Sequence, residues 1–77
     1  MAQGYAVTYE SKYLIIIETI TDYTYVGYAK PGSSTASAVW RILRIDDSVT
    51  DTSTVAWADG NLNFDNIWDN KESLSYS

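Results

Sequence analysis

The chain contains no cysteine and no histidine. Without cysteine there is no disulfide, no thiolate metal ligand and no thiol nucleophile. Without histidine the commonest zinc ligand and the usual general base are missing as well. One proline and four glycines are present, and none of the glycines forms a phosphate-cradling loop. Basic residues are few: five Lys and Arg stand against ten Asp and Glu, for a net charge of −5. Binding to nucleic acid draws on Lys and Arg at phosphates, and anionic membranes draw on the same residues. Neither nucleic acid nor membrane is therefore an expected partner. The longest apolar run, Tyr13-Leu14-Ile15-Ile16-Ile17, falls far short of the ~20 residues that span a bilayer. Met1-Ala2-Gln3-Gly4 shows neither the basic region nor the apolar core of a signal peptide. Synthesis and folding in a cytoplasm is the expectation.

Size adds a second constraint. Seventy-seven residues make one small domain, residues 1–77. Such a chain buries only about 60% of the surface that its unfolded form exposes. Domains of this size are commonly completed by disulfides, a metal or partner chains. Disulfides and Cys/His metal sites are excluded here, so partner chains remain: copies of the chain itself or a larger assembly.

What is present favours strands. Val, Ile, Thr, Tyr and Trp suit a pleated, half-buried surface, while Leu, Lys, Glu and Gln are scarce. Tyr5 to Glu10 alternates with period 2. Tyr13 to Ile20 is denser, and its isoleucine run predicts a strand covered on both faces. Thr21-Asp22 is a turn. Tyr23 to Ala29 alternates again, with Tyr23, Tyr25 and Gly27 on one face and Thr24, Val26 and Tyr28 on the other. Lys30-Pro31-Gly32-Ser33 sets a tight turn, and Ser34 to Ser37 extends it into an exposed loop. Val39 to Ile45 is a strong strand, with Arg41, Leu43 and Ile45 on one face and Trp40, Ile42 and Arg44 on the other. Asp46 to Ser53 reads as a hairpin loop, Thr54 to Ala58 as the returning strand, and Asp59-Gly60-Asn61 as a turn. Phe64, Ile67 and Trp68 are spaced i, i+3, i+4, which predicts one or two helical turns from Phe64, capped by Asn63 and favoured by Asp65. Leu74 and Tyr76 form a short strand or extended tail. The expected fold is mainly β: a small antiparallel sheet, sandwich or barrel with one short helical turn near the C-terminus.

Few residues suggest chemistry. Asp59, Asn61, Asn63 and Asp65 alternate as calcium ligands can. An EF-hand loop, however, needs Gly at its sixth position and Glu at its twelfth, where this chain has Phe64 and Asn70. The same residues favour turns and caps for backbone reasons alone. Asp46, Asp47 and Asp51 fit a solvated hairpin tip better than an acid–base pair. No serine has a histidine to activate it, and nothing positions Lys12, Lys30 or Lys71 as a base. No cofactor, no metal and no catalytic residue is therefore expected.

Contact-forming residues are plentiful by comparison. All three tryptophans and the single phenylalanine follow Val39, and the seven tyrosines are Tyr5, Tyr9, Tyr13, Tyr23, Tyr25, Tyr28 and Tyr76. Tyr joins an apolar body to a polar tip, which suits both cross-strand pairing and a half-wet contact surface. Arg41 and Arg44, on opposite faces, are suited to intrachain carboxylate pairs or to a subunit interface. The candidate interface residues are Tyr23, Tyr25, Tyr28, Trp40, Arg41, Arg44, Trp57 and Trp68. A sugar-stacking platform built from the same rings is the alternative.

Ala38-Val39-Trp40-Arg41-Ile42, Trp57-Ala58-Asp59-Gly60-Asn61, Phe64-Asp65-Asn66-Ile67-Trp68-Asp69-Asn70 and Ser73-Leu74-Ser75-Tyr76, together with Tyr25-Val26-Gly27 and Ala29-Lys30-Pro31-Gly32-Ser33, resemble small structural proteins of tailed bacteriophages. Lys71 stands where that resemblance would place an Arg. The resemblance implies a virion component bound to capsid, neck or tail. It implies other virion structural proteins as partners, together with self-association into a homo-oligomer, and it supplies no catalytic residue. A carbohydrate- or receptor-binding module of a phage fibre is the second expectation.

Overall fold

The computed structural model describes residues 12–77; the alternating segment Tyr5 to Glu10 lies outside them. The chain is mainly β. Strands β1 (Leu14–Ile20), β2 (Tyr23–Ala29), β3 (Ala38–Val49) and β4 (Thr52–Trp57) pair in chain order, and a two-residue strand β5 (Asn66–Ile67) joins the far side of β3. All pairings are antiparallel. The sequence explains the order, because each connection from β1 to β4 is short or turn-like. Thr21 takes a left-handed φ of 54° in the β1–β2 turn and Asp51 one of 63° in the β3–β4 turn. Such backbone fits the right-handed twist of flanking hairpin strands.

The second hairpin is longer than its sequence suggests. Asp46 to Ser53 is not a loop: β3 runs on to Val49 and β4 begins at Thr52. Polar residues are tolerated here because both arms project past the β1–β2 turn into solvent. A register shift falls between Asp46 and Val49. Side chains hold the arm locally, since the Ser48 N–H donates to Asp46 Oδ1 at 2.9 Å and Ser53 Oγ donates to Asp47 Oδ1.

The helix is displaced in the opposite direction. No helical turn spans Phe64 to Trp68; a 3-10 helix runs from Trp68 to Ser73 instead. Ile67 is extended, with φ −98° and ψ 120°. Two forces outweigh the helical spacing. Backbone pairing on the part of β3 that β4 leaves open joins Ala38 to Ile67 and Trp40 to Asn66. The buried Asn66 side chain also donates from Nδ2 to Trp40 O at 3.2 Å. Asn63 therefore caps no helix, and its N–H instead closes a turn on Asn61 Oδ1 at 2.9 Å. The tail returns to the sheet: Tyr76 bridges Ala58, and Trp57 and Ser77 exchange both backbone hydrogen bonds at 3.1 Å.

These connections cover one face of the sheet. Alternation puts Tyr25, Gly27, Ala29, Trp40 and Ile42 on that face, beneath Trp68, Leu74 and Tyr76. Trp40 is wholly buried and meets Trp68 with ring centroids 5.9 Å apart. Its indole N–H donates to Ser34 O at 2.9 Å, which ties the Ser/Thr loop to the core and satisfies a buried donor.

Candidate interaction surface

The other face has no layer over it among the described residues. Strand register sets out its rows. Ile17, Val26, Leu43 and Trp57 lie side by side across four strands. Thr19, Thr24, Ile45 and Val55 form the next row, and Ile15, Tyr28 and Arg41 the row on the other side. Ile17 is 65% exposed and Val55 57%. Among the described residues the expected cover on both faces of β1 is not found: there β1 lies at the edge of the sheet, and only Ile16 and Ile20, which point to the core, are partly buried. The isoleucine run reads as interior because period-2 alternation cannot be seen when every residue is apolar. Single exposed apolar side chains are ordinary, but contiguous rows of them mark interaction sites.

One end of this face is aromatic. Arg41 lies among four rings, its Cζ 4.7 Å from the Phe64 centroid, 5.0 Å from Tyr28, 5.5 Å from Trp57 and 5.9 Å from Tyr13. Tyr13 stacks on Phe64 at 5.7 Å and meets Tyr28 edge-on at 6.4 Å. Each guanidinium–ring contact is worth about 0.5–2 kcal/mol, more as water is excluded. Arg44 mirrors this on the covered face, 4.8 Å from the Tyr23 ring and 4.6 Å from Tyr76. The intrachain pairing expected for these arginines takes the form of ring contacts; among the described residues neither makes a carboxylate ion pair. The Nε of each is buried without a hydrogen-bond partner there.

The ion pair that does form belongs to Lys71. Its Nζ lies over Trp68, 4.6 Å from the ring centroid, and reaches Glu18 Oε1 at 2.8 Å. Sequence reasoning missed this tie between the 3-10 helix and β1. The signal available was the Lys71 three residues after Trp68, which places both on one side of a helical turn.

The candidate interface residues thus divide. Tyr28, Arg41 and Trp57 lie together on the open face. Tyr25, Trp40 and Trp68 are buried within the chain, and Tyr23 and Arg44 sit beside Tyr76 on the covered face. The structure therefore brings three of the eight together, each half-buried, on the open face. Asp59, with φ 60°, and Gly60, with φ 69°, build a tight turn. Among the described residues no cluster of three acidic side chains is placed to hold a metal ion, and no helix is long and apolar enough to cross a membrane.

Burial raises the phenol pKa of Tyr25 and, more strongly, of Tyr76, whose hydroxyl donates to Lys71 O at 2.8 Å. The folded chain thus holds these protons more tightly than the unfolded chain, whose phenols ionise near pH 10. This contribution is complete below about pH 10 and is lost as pH rises through the folded values. Urea midpoints are expected to fall as pH rises above about 10, less steeply in Tyr76→Phe. Parallel profiles for the two proteins would contradict the assignment.

No family model, curated protein or solved structure matches this chain.

Proposed function

We propose that this protein is a structural component of a tailed-phage virion, associated with capsid, neck or tail, which holds neighbouring polypeptides together and catalyses no reaction. One observation carries the reading: the rows of Ile15, Ile17, Val26, Leu43, Val55 and Trp57 form a continuous apolar sheet face with no layer over it among the described residues. Burying such a face against another chain contributes roughly 25 cal/mol per Å² of apolar surface, and so supplies what a core this small lacks. The Arg41 cluster suits the same task, since Arg and aromatic rings are enriched at the centres of interfaces. The sequence blocks from Ala38 to Tyr76 that resemble phage structural proteins supply the setting.

Ile17→Lys combined with Val55→Lys tests it. Both side chains are exposed, so the variant is expected to keep its fold while losing association through this face and incorporation into particles. The unchanged protein is expected in purified particles at fixed copy number. Equal incorporation of the double variant would contradict the reading.

A further inference from the structure

We propose that copies of this chain join head to tail, with the acidic tip of the β3–β4 hairpin of one copy seated in a basic, aromatic groove at the opposite end of the next copy's sheet. The proposal rests on the assembly reading above and specifies one contact within it. The two ends of the sheet differ sharply in charge. Asp22 in the β1–β2 turn, Asp46 and Asp47 on β3 and Asp51 in the β3–β4 turn gather at one end, tied by the Asp47 N–H donating to Asp22 O at 2.9 Å. That is four of the ten acidic residues of the chain. Val49 projects among them, 62% exposed.

The opposite end is basic. A groove of about 380 Å³ is lined by Lys12, Tyr13, Lys30, Val39 and Phe64. Arg41 lies behind its ring wall, 4.7 Å from the Phe64 centroid. Three of the five cations of an acidic chain thus stand at one place. Among the described residues no carboxylate pairs with Lys12 or Lys30; Asp65 and Asp69 lie at the same end but bind neither. The groove offers an apolar wall and two ammonium groups, and the tip offers one apolar side chain flanked by carboxylates. The hairpin arm also projects clear of the rest of the sheet, as an inserted element must.

The fold then dictates the symmetry. Groove and tip sit at the two ends of β3, roughly 36 Å apart at about 3.3 Å per residue. No copy can bring its own tip to its own groove. A contact between two different patches is heterologous, so it propagates into a ring where the rotation closes and a filament where it does not.

Charge exchange tests this directly. Lys12→Glu with Lys30→Glu makes both ends acidic; Asp46→Lys, Asp47→Lys and Asp51→Lys together leave Asp22 as the only one of the four carboxylates and make both ends basic. Each variant alone is expected to lose the head-to-tail contact and run at a lower mass than the unchanged protein, because its two ends repel. An equimolar mixture is expected to recover the mass of the unchanged protein in light scattering, and to lose it at ~1 M salt, where charges are screened within about 3 Å. Circular dichroism confirms that each variant is folded. Variants that assemble alone like the unchanged protein, or a mixture that gains no mass over the separate variants, would overturn the contact. If these variants assemble while Ile17→Lys/Val55→Lys does not, the open face stands and the head-to-tail contact alone falls; an unchanged protein that is monomeric and binds no virion protein removes both.

Discussion

Trp40→Ala is expected to leave the chain largely unfolded at room temperature. Trp40 is wholly buried at the centre of the covered face, and truncating a buried Trp costs about 3–5 kcal/mol. A chain of this length has roughly 4–12 kcal/mol of total stability at 0.05–0.15 kcal/mol per residue, with small cores at the low end. The loss also undoes more than packing. The indole N–H fixes Ser34 in the loop before β3, and the ring is the platform on which Trp68 docks. Thermal melts by circular dichroism read the effect, at about 4–8 °C per kcal/mol for a domain of this size. Trp40→Phe, which keeps a ring but loses the donor, is expected to fall between the two. A Trp40→Ala protein melting within a few degrees of the unchanged one would place the core elsewhere.

Gly27→Val should be nearly as damaging for the opposite reason. At Gly27 the covering layer approaches the backbone of β2 closely. A Cβ there would lie 2.5 Å from Trp68 Cε3, 2.7 Å from Trp68 Cζ3 and 3.0 Å from Trp40 Cε3. Both rings are buried and have no open space to move into. Overpacking of this kind costs about 1–3 kcal/mol, occasionally more; Gly27→Ala should sit near the lower figure and Gly27→Val above it. The cause can be isolated, because contacting residues couple. In a Trp68→Leu background the same Gly27→Ala change should cost clearly less. An equal cost in both backgrounds would remove the ring contact as the explanation.

Both expectations come from the half of the fold that the sequence shows least openly. The alternation of β2 and of Val39 to Ile45 assigns their faces correctly, because tyrosines and arginines interrupt the apolar residues and make the period visible. The isoleucine run of β1 carries no such marks, and so its outer face could not be told from its inner one. At Phe64 to Trp68 the helical spacing is real but loses to backbone pairing on β3, a non-local interaction that no window of neighbouring residues contains. The hairpin extension from Asp46 to Ser53 follows the same logic. Polar residues signal a loop when they would otherwise be buried, but they are acceptable in an arm that solvent surrounds.

The interaction surface was legible as a set of residue types and not as a place. The sequence marks rings and arginines as contact-forming, but folding consumes Trp40, Trp68 and Tyr25 within the chain and leaves Tyr28, Arg41 and Trp57 outward. The aliphatic part of the face, Ile15, Ile17 and Val55, reads as core in the sequence. Among the described residues β1 lies at the edge of the sheet, which leaves these side chains outward. Lys71 shows the converse. It reads as an ordinary surface lysine, yet its ammonium lies over the Trp68 ring and meets Glu18.

The most direct test is the solution mass of the unchanged protein measured beside that of Ile17→Lys/Val55→Lys by size-exclusion chromatography with light scattering. The expected result is a multiple of the 8.6 kDa chain mass for the first and a folded protein of lower mass for the second. Equal masses for the two folded proteins, with the unchanged protein binding no tailed-phage virion protein, would show that the open apolar face holds nothing.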